Sequence, residues 1–419
     1  MTPLRTTCVT ELACLRCGRL VPDGNVQTCP SCGPEGILDV RYDYDRVGAT
    51  LGKASLEGRS PDHWRYAELL PVPAEAPRPP LRVGWTPVYE VPRLASAIGA
   101  GRLFLKDDGR NPTASFKDRA SSVGVMKAIE FGLPTIACAS TGNAASSLAG
   151  LAAAVGLRSV IFIPERAPAP KVAQLLVFGA VVLRVSGSYE EAFDLCARAC
   201  AKFGWYNRNS GTNPFLVEGK KTAGLEIAEQ CGEAIPDWVV VAVGDGCTIG
   251  GIGKGLAEMH RLGFIPRIPR LLGVQAECAA PVVRAFMSGQ PLVPVRAETL
   301  ADSIAVGTPR NWRRAVSAVS ASGGSMIAVS DGEILEAVKS TARLGGVFGE
   351  PAGVAGIAGL RKAIARGAIG RRESALAVIT GNGLKDIGSA MKAGGEPLDV
   401  APDIASLERA LAERGVIPG

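Results

Sequence analysis

Residues 103–164 read LFLKDDGRNPTASFKDRASSVGVMKAIEFGLPTIACASTGNAASSLAGLAAAVGLRSVIFIP. Within this stretch, short apolar runs (LFLKD, TIACAS, SVIFIP) alternate with longer small-residue or amphipathic runs (VGVMKAIEFG, SLAGLAAAVG). The alternation continues through PKVAQLLVFG, VVLRV and EEAFDLCARACAKFG. Strand-like and helix-like segments taken in turn predict βα units and a largely parallel sheet, hence an α/β fold. Between the first strand-like and first helix-like runs lies Asn111 to Arg119, NPTASFKDR. It sets Lys117 at a turn-to-helix junction, behind Phe116 and the small turn Pro112-Thr113-Ala114-Ser115. A lysine partly withdrawn from water has its amine pKa lowered, and a neutral amine condenses with an aldehyde. The competing reading is an ordinary solubilising lysine.

Three further segments have chemical reasons of their own. Val243 to Gly255, VGDGCTIGGIGKG, follows the apolar run WVVVAV. A glycine-rich turn there lets backbone N–H groups approach a phosphate with a helix N-terminus behind it; a plain tight turn is the alternative. The segment contains no GxxxxGK[ST] and no dinucleotide fingerprint, which disfavours nucleotides. Ala139 to Ser147, ASTGNAASS, precedes a small-residue helix, so Ser140, Thr141, Gly142 and Asn143 can host a carboxylate, or simply cap the helix. Ser146 and Ser147 read as capping residues. Thr380, in ITGNGLKD, is either a site hydroxyl or the end of a strand.

This ordered set of motifs, over roughly residues 8 to 390, resembles the pyridoxal-phosphate enzymes of the tryptophan-synthase β type (fold type II), and within them the threonine synthase family. Glu350-Pro351-Ala352 and NSGTNPFLVEGKKT, Asn209 to Thr222, share the resemblance. It implies two parallel-rich three-layer sheets, with a small mobile domain (residues 121–215) inserted in a large cofactor domain (46–120 and 216–419). It implies that Lys117 carries the cofactor beside Phe116, that Asn143 lies near the pyridine 3′-oxygen and that Thr380 faces the pyridine nitrogen. Gly244, Asp245, Gly246, Cys247 and Thr248 would hold the phosphate. Ser140, Thr141, Gly142, Asn143 and Lys220 would bind substrate. A hydroxyl opposite the ring nitrogen, in place of an aspartate, favours elimination and replacement over transamination. The implied reaction is loss of the Cα and Cβ protons of O-phosphohomoserine, expulsion of the γ-phosphate and addition of water at Cβ to give threonine, with Lys117 taking the Cα proton. A homodimer is implied as well.

Other features bound the reading. The 419 residues carry 46 basic and 40 acidic side chains, net +6, dispersed without a basic block, so nucleic acid is not expected as a partner. The start, MTPLRTTCVTEL, has no cationic stretch followed by an apolar core, and no run of about 18 apolar residues follows. A cytoplasmic protein without a membrane partner is expected. Cys14, Cys17, Cys29 and Cys32 form two CxxC pairs in a module spanning 1–45, the pattern of a structural zinc ribbon, with a disulfide pair or a vacant module as alternatives. ILDVRYDYDRV reads as an alternating strand, and residues 71–80, with five prolines, as an extended connector. Only two histidines occur, His63 and His260, and neither falls in a site motif, which leaves a histidine triad unsupported.

The chain departs from the family at three places. Ala144 follows STGN where a threonine is usual. Asn213-Pro214 is followed by Phe215-Leu216-Val217 with no arginine. GKKT, containing Lys220, stands for GQKT. A guanidinium able to grip phosphate bidentately is lost there and an ammonium is gained. Beside a threonine synthase, a serine/threonine dehydratase or cysteate-synthase-like enzyme and an inactive binding or regulatory protein therefore stay open.

Overall fold

The computed structural model describes residues 7–165 and 169–417. The chain begins with a three-stranded antiparallel sheet of β1 (Val9–Cys14), β2 (Leu20–Val21) and β3 (Leu38–Tyr42), in the order β2-β1-β3. β3 stops where ILDVRYDYDRV was expected to continue as a strand. Asp43 accepts the Arg46 N–H at 3.0 Å and caps a helix, Tyr44–Thr50, so a side-chain cap ends the alternating pattern.

After the proline-rich connector, β4 (Val88–Glu90) and β5 (Arg102–Asp107) start a six-stranded sheet. The chain then leaves it to build a second sheet from β6 (Thr135–Ala139), β7 (Arg158–Pro164), β8 (Val181–Val185) and β9 (Tyr206–Asn207), all parallel, in the order β8-β7-β6-β9. It returns through β10 (Trp238–Ala242), β11 (Arg270–Ala276), β12 (Ser325–Val329) and β13 (Ser374–Ile379) to complete the order β12-β11-β10-β13-β5-β4. Only the edge strand β4 runs antiparallel in that larger sheet.

Both sheets are buried on two faces. In β10, Val239 and Val241 enter one core while Trp238, Val240 and Ala242 enter another. In β6, Ile136 and Cys138 face one cluster and Ala137 and Ala139 the opposite one. Successive side chains point to opposite faces of a strand, so a strand apolar throughout needs helices on both sides, the three-layer arrangement of parallel sheets. Small residues bring those helices close: a Cβ at Gly359, in the helix Pro351–Ala365, would lie 2.3 Å from Val274 Cγ2 of β11.

The N-terminal sheet is not a separate bead. Leu12, Leu38, Val40 and Tyr42 belong to the same apolar core as Phe116, Leu225 and Val241. Charged contacts reinforce this. Asp39 meets Lys254 at 3.2 Å and Arg314 at 2.5 Å, and Tyr42 donates to Glu218 Oε2 at 2.8 Å. Gln27, between the two CxxC pairs, donates to the Asn207 carbonyl of β9 at 2.9 Å and accepts from Thr212 at 3.3 Å. No helix among the described residues is long and apolar enough to cross a membrane.

Candidate active site

Lys117 is presented by a turn that its neighbours lock. The Thr113 N–H donates to Asp118 Oδ2 at 2.7 Å and its hydroxyl to Oδ1 at 2.5 Å. Ala114 takes a left-handed φ of 64°, a conformation costing roughly 1 kcal/mol without glycine. That turn lets the Phe116 N–H donate to the Thr380 carbonyl at 2.8 Å and the Asn382 N–H to the Ala114 carbonyl at 3.1 Å. Arg119, fully buried, pairs with Asp108 at 2.6 Å and Glu226 at 2.5 Å, and Lys106 reaches Glu226 at 2.9 Å. Asp118 and Arg119 thus hold the junction. Lys117 is left as the first residue of the helix Lys117–Glu130, only partly buried. Its amine is lowered to about 8, first by burial and then by the charges of Lys220 and Arg208.

The predicted residues arrive from separate elements. Thr380, just past β13, is zipped to the lysine turn by the contacts above and by the Ser115–Gly381 bridge. Asn143 opens the helix Asn143–Ala154. It donates to Glu350 Oε1 at 2.7 Å and lies 3.4 Å from Ser303 Oγ. The cap of that helix is Gly142, whose N–H donates to Ser140 Oγ at 3.1 Å. Ser146 and Ser147, expected as caps, sit inside the helix, where Ser146 Oγ accepts from Lys385 Nζ at 3.1 Å. Thr141, Gly142 and Asn143 line an open cleft together with Asp302, Ser303, Glu350 and Lys385. Lys117 does not line this cleft; Glu350 lines it and also acts electrostatically on Lys117.

The glycine turn connects β10 to the helix Cys247–Arg261. Gly246 has φ 102°, and a Cβ there would lie 2.5 Å from the Asn311 carbonyl oxygen. The first N–H groups of such a helix lack intrahelical acceptors and carry its positive dipole end. Thr248 is the second residue of the helix and half-buried. Asp245 lies in the turn, but its carboxylate braces the loop: it accepts from the Arg310 N–H at 2.7 Å, Asn311 Nδ2 at 2.9 Å and the Cys247 thiol at 2.9 Å. Burial, and next the Asp245 charge, push the Cys247 thiol up to about 12, so it is neutral at physiological pH. Lys220, on the helix Phe215–Cys231, is buried against Cys247, and burial lowers its pKa.

Three residues of this site escaped the sequence reading of individual roles: Glu350, Ser303 and Arg208. Glu350-Pro351 had a motif to point to it. Ser303 and Arg208 had none: Ser303 lies in a single 3-10 turn, Asp302–Ile304, and Arg208 in irregular chain just after β9, and the neighbours of each come from distant elements. Neither histidine enters the site. His63 is buried against Ser122 Oγ at 3.0 Å and pushed down to about 3 by burial, and His260 bonds to the Ile265 carbonyl.

The arrangement fits an aldehyde cofactor bearing a phosphate. It offers an amine of depressed pKa, a glycine turn at a helix N-terminus, and the cations Arg208 and Lys220, which have no carboxylate in contact among the described residues. Ser115 Oγ, next to the lysine turn, is buried without a hydrogen-bond partner.

Residues 80–381 match the family of pyridoxal-phosphate dependent enzymes. The threonine synthase of Methanosarcina acetivorans is 41% identical over 96% of this chain and 98% of its own length. The chain belongs to the threonine synthase family. The Methanocaldococcus jannaschii threonine synthase is 39% identical over 96% of this chain and 99% of its own. That of Mycobacterium tuberculosis is 39% identical over 78% and 89%. Among solved structures, a threonine deaminase isoform from Solanum lycopersicum matches with a TM-score of 0.64 at 21% identity, covering 74% of this chain and 87% of that one. Maize serine racemase matches with 0.63 at 20% identity, over 79% and 92%. At those identities the structures speak for the fold, the α/β fold type II of pyridoxal-phosphate enzymes.

The four cysteines Cys14, Cys17, Cys29 and Cys32 bring their sulfurs within 4.8 Å of one another, and Cys17 and Cys29 are 3.7 Å apart.

Proposed function

We propose that this chain catalyses the threonine synthase reaction, removing phosphate from O-phospho-L-homoserine and adding water at Cβ to give L-threonine. The observation carrying this reading is the partly buried Lys117, its pKa lowered to about 8 and its turn tied to the Thr380 segment. Pyridoxal phosphate, when bound, supplies the electron sink that acidifies the carbon bearing the amino group. Lys117 would hold it, and the glycine turn Gly244–Gly246 with Cys247 and Thr248 would take its phosphate. With its pKa lowered to about 8, the Lys117 amine is matched to proton transfer near neutrality and would be the group that takes the Cα proton. Ser140, Thr141 and the start of the Asn143 helix offer donors to the substrate carboxylate. Glu350 orients Asn143 through their 2.7 Å bond. Thr380, whose carbonyl accepts from the Phe116 N–H at 2.8 Å, would offer a hydroxyl rather than a carboxylate to the ring nitrogen, as the family resemblance implies, which would favour elimination with replacement.

The same reading includes a structural zinc at Cys14, Cys17, Cys29 and Cys32. Tetrahedral thiolates at about 2.3 Å from zinc stand roughly 3.8 Å apart, close to the 3.7 Å between Cys17 and Cys29. Division into a small domain at 121–215 and a large one, a homodimer and a cytoplasmic location complete the proposal, all supported by resemblance to the family.

The test gives O-phosphohomoserine to purified, cofactor-loaded protein analysed for zinc, and follows phosphate and amino acids with Lys117→Ala as control. Equal threonine and phosphate, abolished in the control, are expected. Absence of turnover with cofactor still bound would overturn the substrate and point to serine, threonine or O-phosphoserine.

A further inference from the structure

Several buried cations among the described residues are paired with carboxylates. Arg119 meets Asp108 and Glu226, Lys221 meets Glu218 at 2.7 Å and Glu258 at 3.0 Å, and Arg314 meets Asp39. Arg208, directly after β9 and 1% exposed, is different. Its Nε and Nη2 donate to Ser121 Oγ at 3.1 and 2.9 Å and its Nη1 to Ser210 Oγ at 3.0 Å, and no carboxylate among the described residues pairs with it. A guanidinium has five N–H donors, so two are left over. An unpaired charge withdrawn from water is costly, and an incoming anion removes that cost.

Its position is also informative. Ser121 lies one helical turn beyond Lys117 on the same helix, while the Ser210 carbonyl accepts from Cys247 Sγ at 3.3 Å. The guanidinium therefore sits between the lysine helix and the start of the glycine-turn helix, and its charge is felt at both Lys117 and Lys220. A Cβ built on Gly124 would lie 2.9 Å from Leu216 Cδ2 and 3.8 Å from Arg208 Cγ, so the Arg208 stem and the Leu216 tip are neighbours. Leu216 stands in the segment after Asn213-Pro214 where the family resemblance leads one to look for an arginine.

We propose that Arg208, with Lys220, grips the phosphate group of the substrate, delivering from β9 the guanidinium missing after Asn213-Pro214. This rests on the threonine synthase reading, in which cofactor and substrate each bring a phosphate and the glycine turn accommodates one. Arg208 is a specificity-determining residue: its bidentate donors favour a tetrahedral dianion over the hydroxyl of serine or threonine.

The experiment compares cofactor-loaded wild type, Arg208→Leu, Arg208→Lys and the double variant Arg208→Leu/Leu216→Arg. It reads bound-cofactor absorbance, KM and kcat for O-phosphohomoserine, and the Kd of inorganic phosphate by calorimetry. Arg208→Leu is expected to keep the cofactor while KM and the phosphate Kd rise about ten- to a hundredfold. The lysine variant should recover part of the loss, and the double variant should recover it if Leu216 adjoins the same site. Unchanged KM and phosphate Kd in Arg208→Leu would overturn the proposal, leaving the threonine synthase reading intact. So would loss of cofactor in Arg208→Leu, which would assign Arg208 to the cofactor phosphate, and so would a wild type that binds no phosphate. Arg208-dependent phosphate binding without turnover of O-phosphohomoserine would uphold the anion grip and sink the substrate.

Discussion

Lys117 owes its depressed amine first to burial and next to the ammonium of Lys220, with Arg208 adding to both. Cys247 would oppose them as a thiolate, but its thiol, held up to about 12 by burial and Asp245, brings no charge at neutral pH. The neutral amine is the nucleophile, so the rate at which apoprotein takes up pyridoxal phosphate should rise with pH to a plateau with a midpoint near 8, falling roughly tenfold per pH unit below it. Lys220→Met should move that midpoint upward; stopped-flow absorbance across pH 6 to 10 reads both. An unmoved midpoint would remove Lys220 from the electrostatics of the lysine. The linkage has a definite sign. The folded amine sits below the unfolded value of about 10.4, so its burial costs the apoprotein stability at low pH and that cost disappears as pH rises from 8 towards 10.4. Lys117, Asn143 and Thr380 were legible because each sits inside a run whose neighbours restrict the backbone. Arg208 was not: an arginine between a strand end and a polar turn reads as surface, and only packing against Ser121 and Ser210 buries it.

Among the elements, the turn after β10 carries the tightest constraint. Gly246 needs φ 102°, and a Cβ there meets the Asn311 carbonyl at 2.5 Å. Asn311 and Arg310 are also what the Asp245 carboxylate holds. Gly246→Ala should therefore cost about 1–3 kcal/mol in stability and weaken cofactor retention. Gly263→Ala, at φ 76° with nothing within 4 Å, should cost stability alone. Denaturant midpoints and equilibrium dialysis of pyridoxal phosphate separate the two. Equal cofactor retention in both variants would mean that the turn does not carry the phosphate. The glycines announced this turn in the sequence. The bracing role of Asp245 did not show, since its partners lie some 65 residues downstream. The continuation of β3 into Tyr44 and Arg46 was misjudged for a related reason: apolar alternation is indifferent to Asp43, whose carboxylate caps a helix instead.

Across the whole molecule, the four-cysteine sheet is wired to the helices around the site. Asp39 of β3 holds Lys254, on the glycine-turn helix, and Arg314; Arg314 Nε reaches Asn311 Oδ1 at 3.3 Å, and Asn311 braces Asp245. Lys254 and Arg314 hold the Asp39 carboxyl well below the usual carboxylate range, against the burial that would raise it. Its stabilising effect is thus complete above the unfolded pKa of about 3.9 and is lost as pH falls below it. Asp39→Asn should destabilise by about 3–5 kcal/mol at pH 7, because two cations lose their shared anion. Urea unfolding at pH 7 and pH 3 is the measurement, and the penalty should shrink at the lower pH. A penalty below 1 kcal/mol at pH 7, or one independent of pH, would reject Asp39 as the tie between the N-terminal sheet and these helices. What the amino-acid order determined unaided is the local part: alternating strands and helices, the lysine turn, the glycine turn and the cysteine spacing, each set by short-range sterics and burial period. Tertiary structure alone decided which charges meet. It paired Arg119 with Glu226 and Asp39 with Arg314, and left Arg208 without a carboxylate among the described residues, because Coulomb interactions inside a protein depend on distances and desolvation that arise only when remote elements pack.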